Sequence, residues 1–140
     1  MMRVNKVSLI AALALVMTWA LWIAGCATTN QPVKTACKAD IEWQITPEAE
    51  VTEFNCETGT HAEEPSLIFT VGVKNISHKP LRYRVNIFLL DMDKAAGHLV
   101  PRKGKPPVLE PGKSQSVKIP FIKTTDMPKK VLVVIKTMEI

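Results

Sequence analysis

Tyr83, Val85, Ile87 and Leu89 alternate with Arg82, Arg84 and Asn86. Successive side chains of a strand point to opposite faces, so a two-residue period makes one face apolar and leaves the other wet. The pattern recurs along the chain. Ile41, Trp43 and Ile45 alternate with Glu42, Gln44 and Thr46, up to Pro47. Leu67, Phe69, Val71 and Val73 share one face, and Ile68, Thr70, Gly72 and Lys74 the other. Gln115, Val117, Ile119 and Phe121 alternate with Ser114, Ser116 and Lys118. Pro120 has no N–H for a ladder, which marks an edge strand or a bulge. Val131 to Ile135 is a continuous apolar run, the pattern of a strand buried on both faces or nearly so. Phe88 and Leu90 break the polar face of the Tyr83–Leu89 segment; they either cover a second packed layer, the arrangement expected here, or form an exposed contact.

Polar and turn-forming stretches separate these segments. Residues 57–65 read as a loop, Asn75 to Pro80 as a turn cluster, and Asp91 to Gly97 as a further turn. Residues 98–112 are rich in proline and lysine and cannot form a central strand. Five to seven short strands and no amphipathic helix after the N-terminal leader predict an all-β fold. The expected architecture is an immunoglobulin-like antiparallel β-sandwich over residues 40–140, with both sheets sharing one core.

The first 25 residues have a different character. Arg3 and Lys6 lead an apolar run from Val7 to Ala24, which ends in Ile23-Ala24-Gly25-Cys26. A basic start, an apolar middle and small residues at the end form a secretory-signal pattern. The final four residues resemble the lipobox of bacterial lipoproteins. That resemblance implies cleavage before Cys26, with Ile23, Ala24 and Gly25 recognised by the peptidase. It also implies diacylglyceryl and N-acyl (palmitate-type) chains on Cys26, and no other cofactor. The alternative is an uncleaved anchor helix with Trp19 and Trp22 near its outer end. Ala27 is not acidic, which in the lipoproteins this resembles favours the outer membrane over the inner. Residues 26–39 then read as the lipidated N-terminus and a flexible tether.

With Cys26 lipidated, Cys37 and Cys56 are the two cysteines left in a chain exported to an oxidising space. A Cys37–Cys56 disulfide is the intramolecular pairing available. The formal net charge is +5, of which Arg3 and Lys6 supply two charges. The remaining mild excess is far from the dense basic patch of a nucleic-acid binder.

Little in the chain points to catalysis. His61, His78 and His98 all fall in segments read as loops. Asp91 and Asp93 lack the further oxygen ligands that a calcium loop needs and read as turn caps. Copper binding through Met92, His98, Met127 and Met138 is a second possibility, since thioether and imidazole suit that metal. No nucleophile stands beside a base, and no glycine-rich phosphate loop or distinctive carboxylate pair occurs.

Four features occur in order: Val73 to Pro80, Tyr83 to Asp91, Gly97, and Val117 to Pro120 followed by a terminal apolar strand. In these and in its leader, the chain resembles the small YcfL-type envelope lipoproteins. The resemblance implies a periplasm-facing sandwich without enzymatic activity. The Cys37/Cys56 pair and the prolines at 101–111 depart from that pattern. The expected function is a membrane-anchored envelope lipoprotein whose sandwich serves as a protein-binding or scaffold module. Its expected partners are the membrane, through the lipid, and an envelope protein, with no nucleic acid and no small-molecule substrate. The alternatives are a periplasmic copper-binding protein and an accessory factor of cell-wall assembly.

Overall fold

A computed structural model describes residues 35–139. The leader, the Ile23–Cys26 motif and most of the tether lie outside these described residues. Seven strands follow in order: β1 (Asp40–Ile45), β2 (Ala49–His61), β3 (Glu64–Asn75), β4 (Arg82–Leu89), β5 (Lys94–Val100), β6 (Ser114–Ile122) and β7 (Lys130–Met138). They form two sheets, one of order β1-β7-β4-β5 (sheet A) and one of order β2-β3-β6 (sheet B). Among the described residues there is no helix. The fold is the expected all-β sandwich with an immunoglobulin-like arrangement.

The alternating residues become the core. Tyr83, Val85, Ile87 and Leu89 of β4 are fully buried, as are Leu67, Phe69, Val71 and Val73 of β3. Val117, Ile119 and Phe121 of β6 and Val131, Val133 and Ile135 of β7 join them. A row of aromatic rings crosses the interior. Trp43 of β1 meets Phe54 of β2 edge-on at 4.9 Å. Phe54 continues to Phe69 at 5.7 Å, and Phe69 to Phe121 at 5.6 Å. These separations suit the edge-to-face packing that the ring quadrupole favours.

Several expectations need correction. The stretch 57–65 is not a loop. It is the far arm of the β2–β3 hairpin, whose register runs out to His61↔Glu64. The tip residues Ala62 and Glu63 both have positive φ, 50° and 66°, the backbone of a tight two-residue hairpin turn. Residues 94–100 are likewise a strand, paired with β4 from Leu89↔Lys94 to Tyr83↔Val100. β5 is an edge of sheet A, which accommodates the prolines that follow it. The pairing is not wholly antiparallel, because β1 runs parallel to β7 from Asp40↔Lys130 to Ile45↔Ile135. Leu90 is not under a second layer and stands 52% exposed. Pro120 sits on β6, an edge of sheet B, as its missing N–H requires.

Two polar anchors hold the loops. Tyr83 is buried, and its hydroxyl donates to the Glu48 carbonyl at 2.9 Å. Burial, with a smaller contribution from the Glu48 charge, pushes its pKa up to about 12. Asn75 is fully buried, and its amide nitrogen donates to the carbonyls of Lys79 and Leu109, each at 2.8 Å. Its Oδ1 accepts from the Ser77 N–H and hydroxyl, so one side chain ties the Asn75–Pro80 turn to the returning proline-rich loop.

Cys37 and Cys56 stand at disulfide distance, with Cα atoms 5.4 Å apart. Cys37 is buried and belongs to the core, so the packed body reaches back ahead of β1. The pair links the segment that enters sheet A to β2 of sheet B. Closing a loop of this size restricts the unfolded chain by roughly 3 kcal/mol. A Cys37→Ala/Cys56→Ala variant is therefore expected to lose about that much stability in urea unfolding. An unchanged midpoint would show that the crosslink contributes nothing.

Candidate interaction surfaces

The two sheets present unlike outer faces. On sheet B, Lys74 pairs with its register partner Glu50 at 3.7 Å, Lys118 reaches diagonally to Glu57 at 3.9 Å, and Lys123, just past β6, pairs with Glu64 at 3.7 Å. Ser116 donates to Glu53 at 2.8 Å. All are exposed, so each adds little stability. Together they neutralise the charged part of this face, which also carries Ile68, Pro120 and Ile122, the last 48% exposed.

Sheet A differs. Its register places Glu42, Leu132, Phe88 and Ala95 in one row across the outer face. Gln44, Val134, Asn86 and Gly97 form the next row, and Lys136, Arg84 and Leu99 the third. Phe88, Leu132 and Val134 make a small apolar group outside the core, with Val134 only 7% exposed. Leu90 extends it beyond the strand end, where Phe88, Leu90, Asp93, Lys94 and Ala95 line a shallow depression of about 150 Å³. Among the described residues, this face carries no ion pair. Toward the other end of β4, Arg84, Asn86, Gly97, His98, Leu99 and Arg102 line an open cleft of about 360 Å³.

Some residues singled out in the sequence meet and others do not. Cys37 and Cys56 meet. The methionines and histidine of the copper reading are not gathered. Met127 precedes β7 and Met138 ends it, and nine extended residues separate two such points by roughly 30 Å. Met92 lies in the β4–β5 turn. His98 lies in β5 rather than a loop, opposite Val85 and on the core side of that edge strand. Its Nδ1 lies 3.3 Å from the Leu99 carbonyl. His61 is exposed at the end of β2, and His78 is exposed in the turn after β3. Among the described residues, no three His, Cys, Asp or Glu side chains group as metal ligands.

Asp91 also reaches beyond its own turn. It accepts from the backbone N–H of Lys129 at 2.9 Å and of Lys130 at 3.3 Å, clasping the start of β7 to the β4–β5 turn. The Lys129 hydrogen bond leads in holding its carboxyl below the usual carboxylate range.

The unpartnered face of sheet A was only partly visible in the sequence. Phe88 and Leu90 stood out on a polar face. Leu132 and Val134 joined them only once β7 was known to lie beside β4. In comparisons with known proteins, no family model, curated sequence or solved structure matches this chain.

Proposed function

We propose that this chain is a membrane-anchored envelope lipoprotein that presents its sandwich as a protein-binding or scaffold module and performs no catalysis. In this reading residues 1–25 are removed, Cys26 carries the lipid, and the domain faces the periplasm, preferentially from the outer membrane. The resemblance to YcfL-type lipoproteins supports the same placement. The observation that carries the binding role is the contrast between the two outer faces. Sheet B carries three exposed ion pairs alongside its outward Ile68, Pro120 and Ile122, whereas sheet A carries none among the described residues and offers Phe88, Leu132 and Leu90 with polar residues around them. A flat apolar centre with a polar rim suits another protein better than a small ligand.

Two measurements test this. A Cys26→Ser chain is expected to lose lipid modification and to leave the membrane fraction, read by mass spectrometry and fractionation. Retention of both would remove the lipoprotein reading. A photo-crosslinking residue at Phe88 or Leu132 is expected to capture one discrete envelope protein in cells, while the same residue at Lys118 captures none. Equal labelling from both sheets would remove the docking role.

A further inference from the structure

We propose that the cleft at Arg84, Asn86 and Arg102 binds the phosphate or carboxylate groups of an anionic polymer. The site stands four residues along β4 from Phe88, and its argument does not need the protein-binding reading. Register places Arg84 and Asn86 on the outer face of sheet A, with Leu99 and Gly97 opposite them on β5. Arg102 follows β5 and completes the cleft of about 360 Å³. No acidic residue lines it.

The arrangement is built as well as charged. A Cβ at position 97 would overlap the Asn86 amide and lie 3.2 Å from the Val85 carbonyl. Glycine at 97 therefore lets the Asn86 side chain lie across the floor between strands. The Arg82 Nε donates to the Pro101 carbonyl at 3.3 Å, which fastens the start of the Arg102 loop to β4. Two guanidiniums offer paired N–H groups that match the oxygens of a phosphate or carboxylate, and the amide supplies a further donor.

The charge continues past the cleft. Lys136 is the cross-strand partner of Arg84, and Lys103 and Lys105 follow Arg102. Within 4 Å of Arg82, Arg84, Arg102, Lys103, Lys105 and Lys136 there is no carboxylate among the described residues. Like charges side by side in register repel each other, and a polyanion lying across them relieves that repulsion. An extended band fits a ligand with repeating charges. The exposed segment Arg102-Lys-Gly-Lys105 has no apolar side chain to enter a bilayer, which argues against a lipid surface.

The test titrates the full chain in detergent with polyphosphate, with polygalacturonate and with inorganic phosphate at low salt. Binding of either polymer, weakening steeply as salt rises, is the expected result, and the polymer preferred tells phosphate from carboxylate. Arg84→Gln/Arg102→Gln is expected to weaken that binding by about tenfold or more. Gly97→Ala is expected to weaken it with no change in net charge. Lys74→Gln/Lys118→Gln removes the same charge from sheet B and is expected to leave affinity within about twofold, because the salt-screened field falls off over a Debye length. Equal loss in both charge-removing variants, or no polymer binding by the unaltered chain, overturns the proposal. Inorganic phosphate binding as tightly as the polymer overturns the polymer assignment.

Discussion

Replacing Asn75 with aspartate is expected to destabilise the domain by about 3–5 kcal/mol near neutral pH, among the largest effects of any single polar substitution here. The change is nearly isosteric but removes both N–H donors. The carbonyls of Lys79 and Leu109, each now 2.8 Å from the amide nitrogen, would face a buried carboxylate oxygen instead. Ser77 would still donate to the other oxygen. Ser77→Ala, which removes only the hydroxyl bonds, is expected to cost about 1 kcal/mol. Urea unfolding of the three chains measures the difference. A pH series adds a sign. Burial without a cation raises the pKa of the introduced acid above its unfolded value, so the protonated form is favoured in the folded state. The Asn75→Asp penalty should therefore shrink as pH falls and grow as pH rises through that raised pKa. A pH-independent loss would show that the buried charge does not contribute and that the lost donors alone carry the effect.

Truncating Phe69 to alanine is expected to cost about 3–5 kcal/mol. Phe69 is fully buried and lies between Phe54 and Phe121 in the aromatic row, so its loss opens a cavity that strands of both sheets surround. Phe88→Ala, on the outer face of sheet A, is expected to cost about 1 kcal/mol or less, because water already reaches that ring. The comparison measures the two faces with the same side chain. Similar losses at both positions would mean that Phe88 is covered, which would also weaken the case for sheet A as an open surface.

Where the chain alternates cleanly, its structure was legible. β1, β3, β4, β6 and β7 were all readable from a two-residue period or a continuous apolar run, because burial of one or both faces writes itself into the residue types. β2 was not. Its inward residues are Ala49 and Val51, then Phe54 and Cys56, and the change of parity comes from a bulge between Val51 and Glu53. Gly72 lies opposite that bulge, where a Cβ would meet Thr52 and Glu53. The outer part of β2 reads as polar because it extends beyond the core and is exposed on both faces. β5 was hidden for a different reason. Ala95, Ala96 and Gly97 have weak strand preference, and β4 recruits them by backbone pairing.

The candidate surfaces divide in the same way. The Cys37–Cys56 pairing followed from counting cysteines, and the oddity of Phe88 and Leu90 was visible on one strand. The partnership of Phe88 with Leu132, and of Arg84 with Leu99 beside Arg102, was not, since these residues lie far apart in sequence and meet only through strand order. The sequence by itself determined which residues leave water, because hydrophobicity and its period are local properties. Only the tertiary structure decided which strands became neighbours, that β1 runs parallel to β7, and so which outward side chains share a surface. Those choices depend on closing both sheets over one core, and no local pattern encodes that closure.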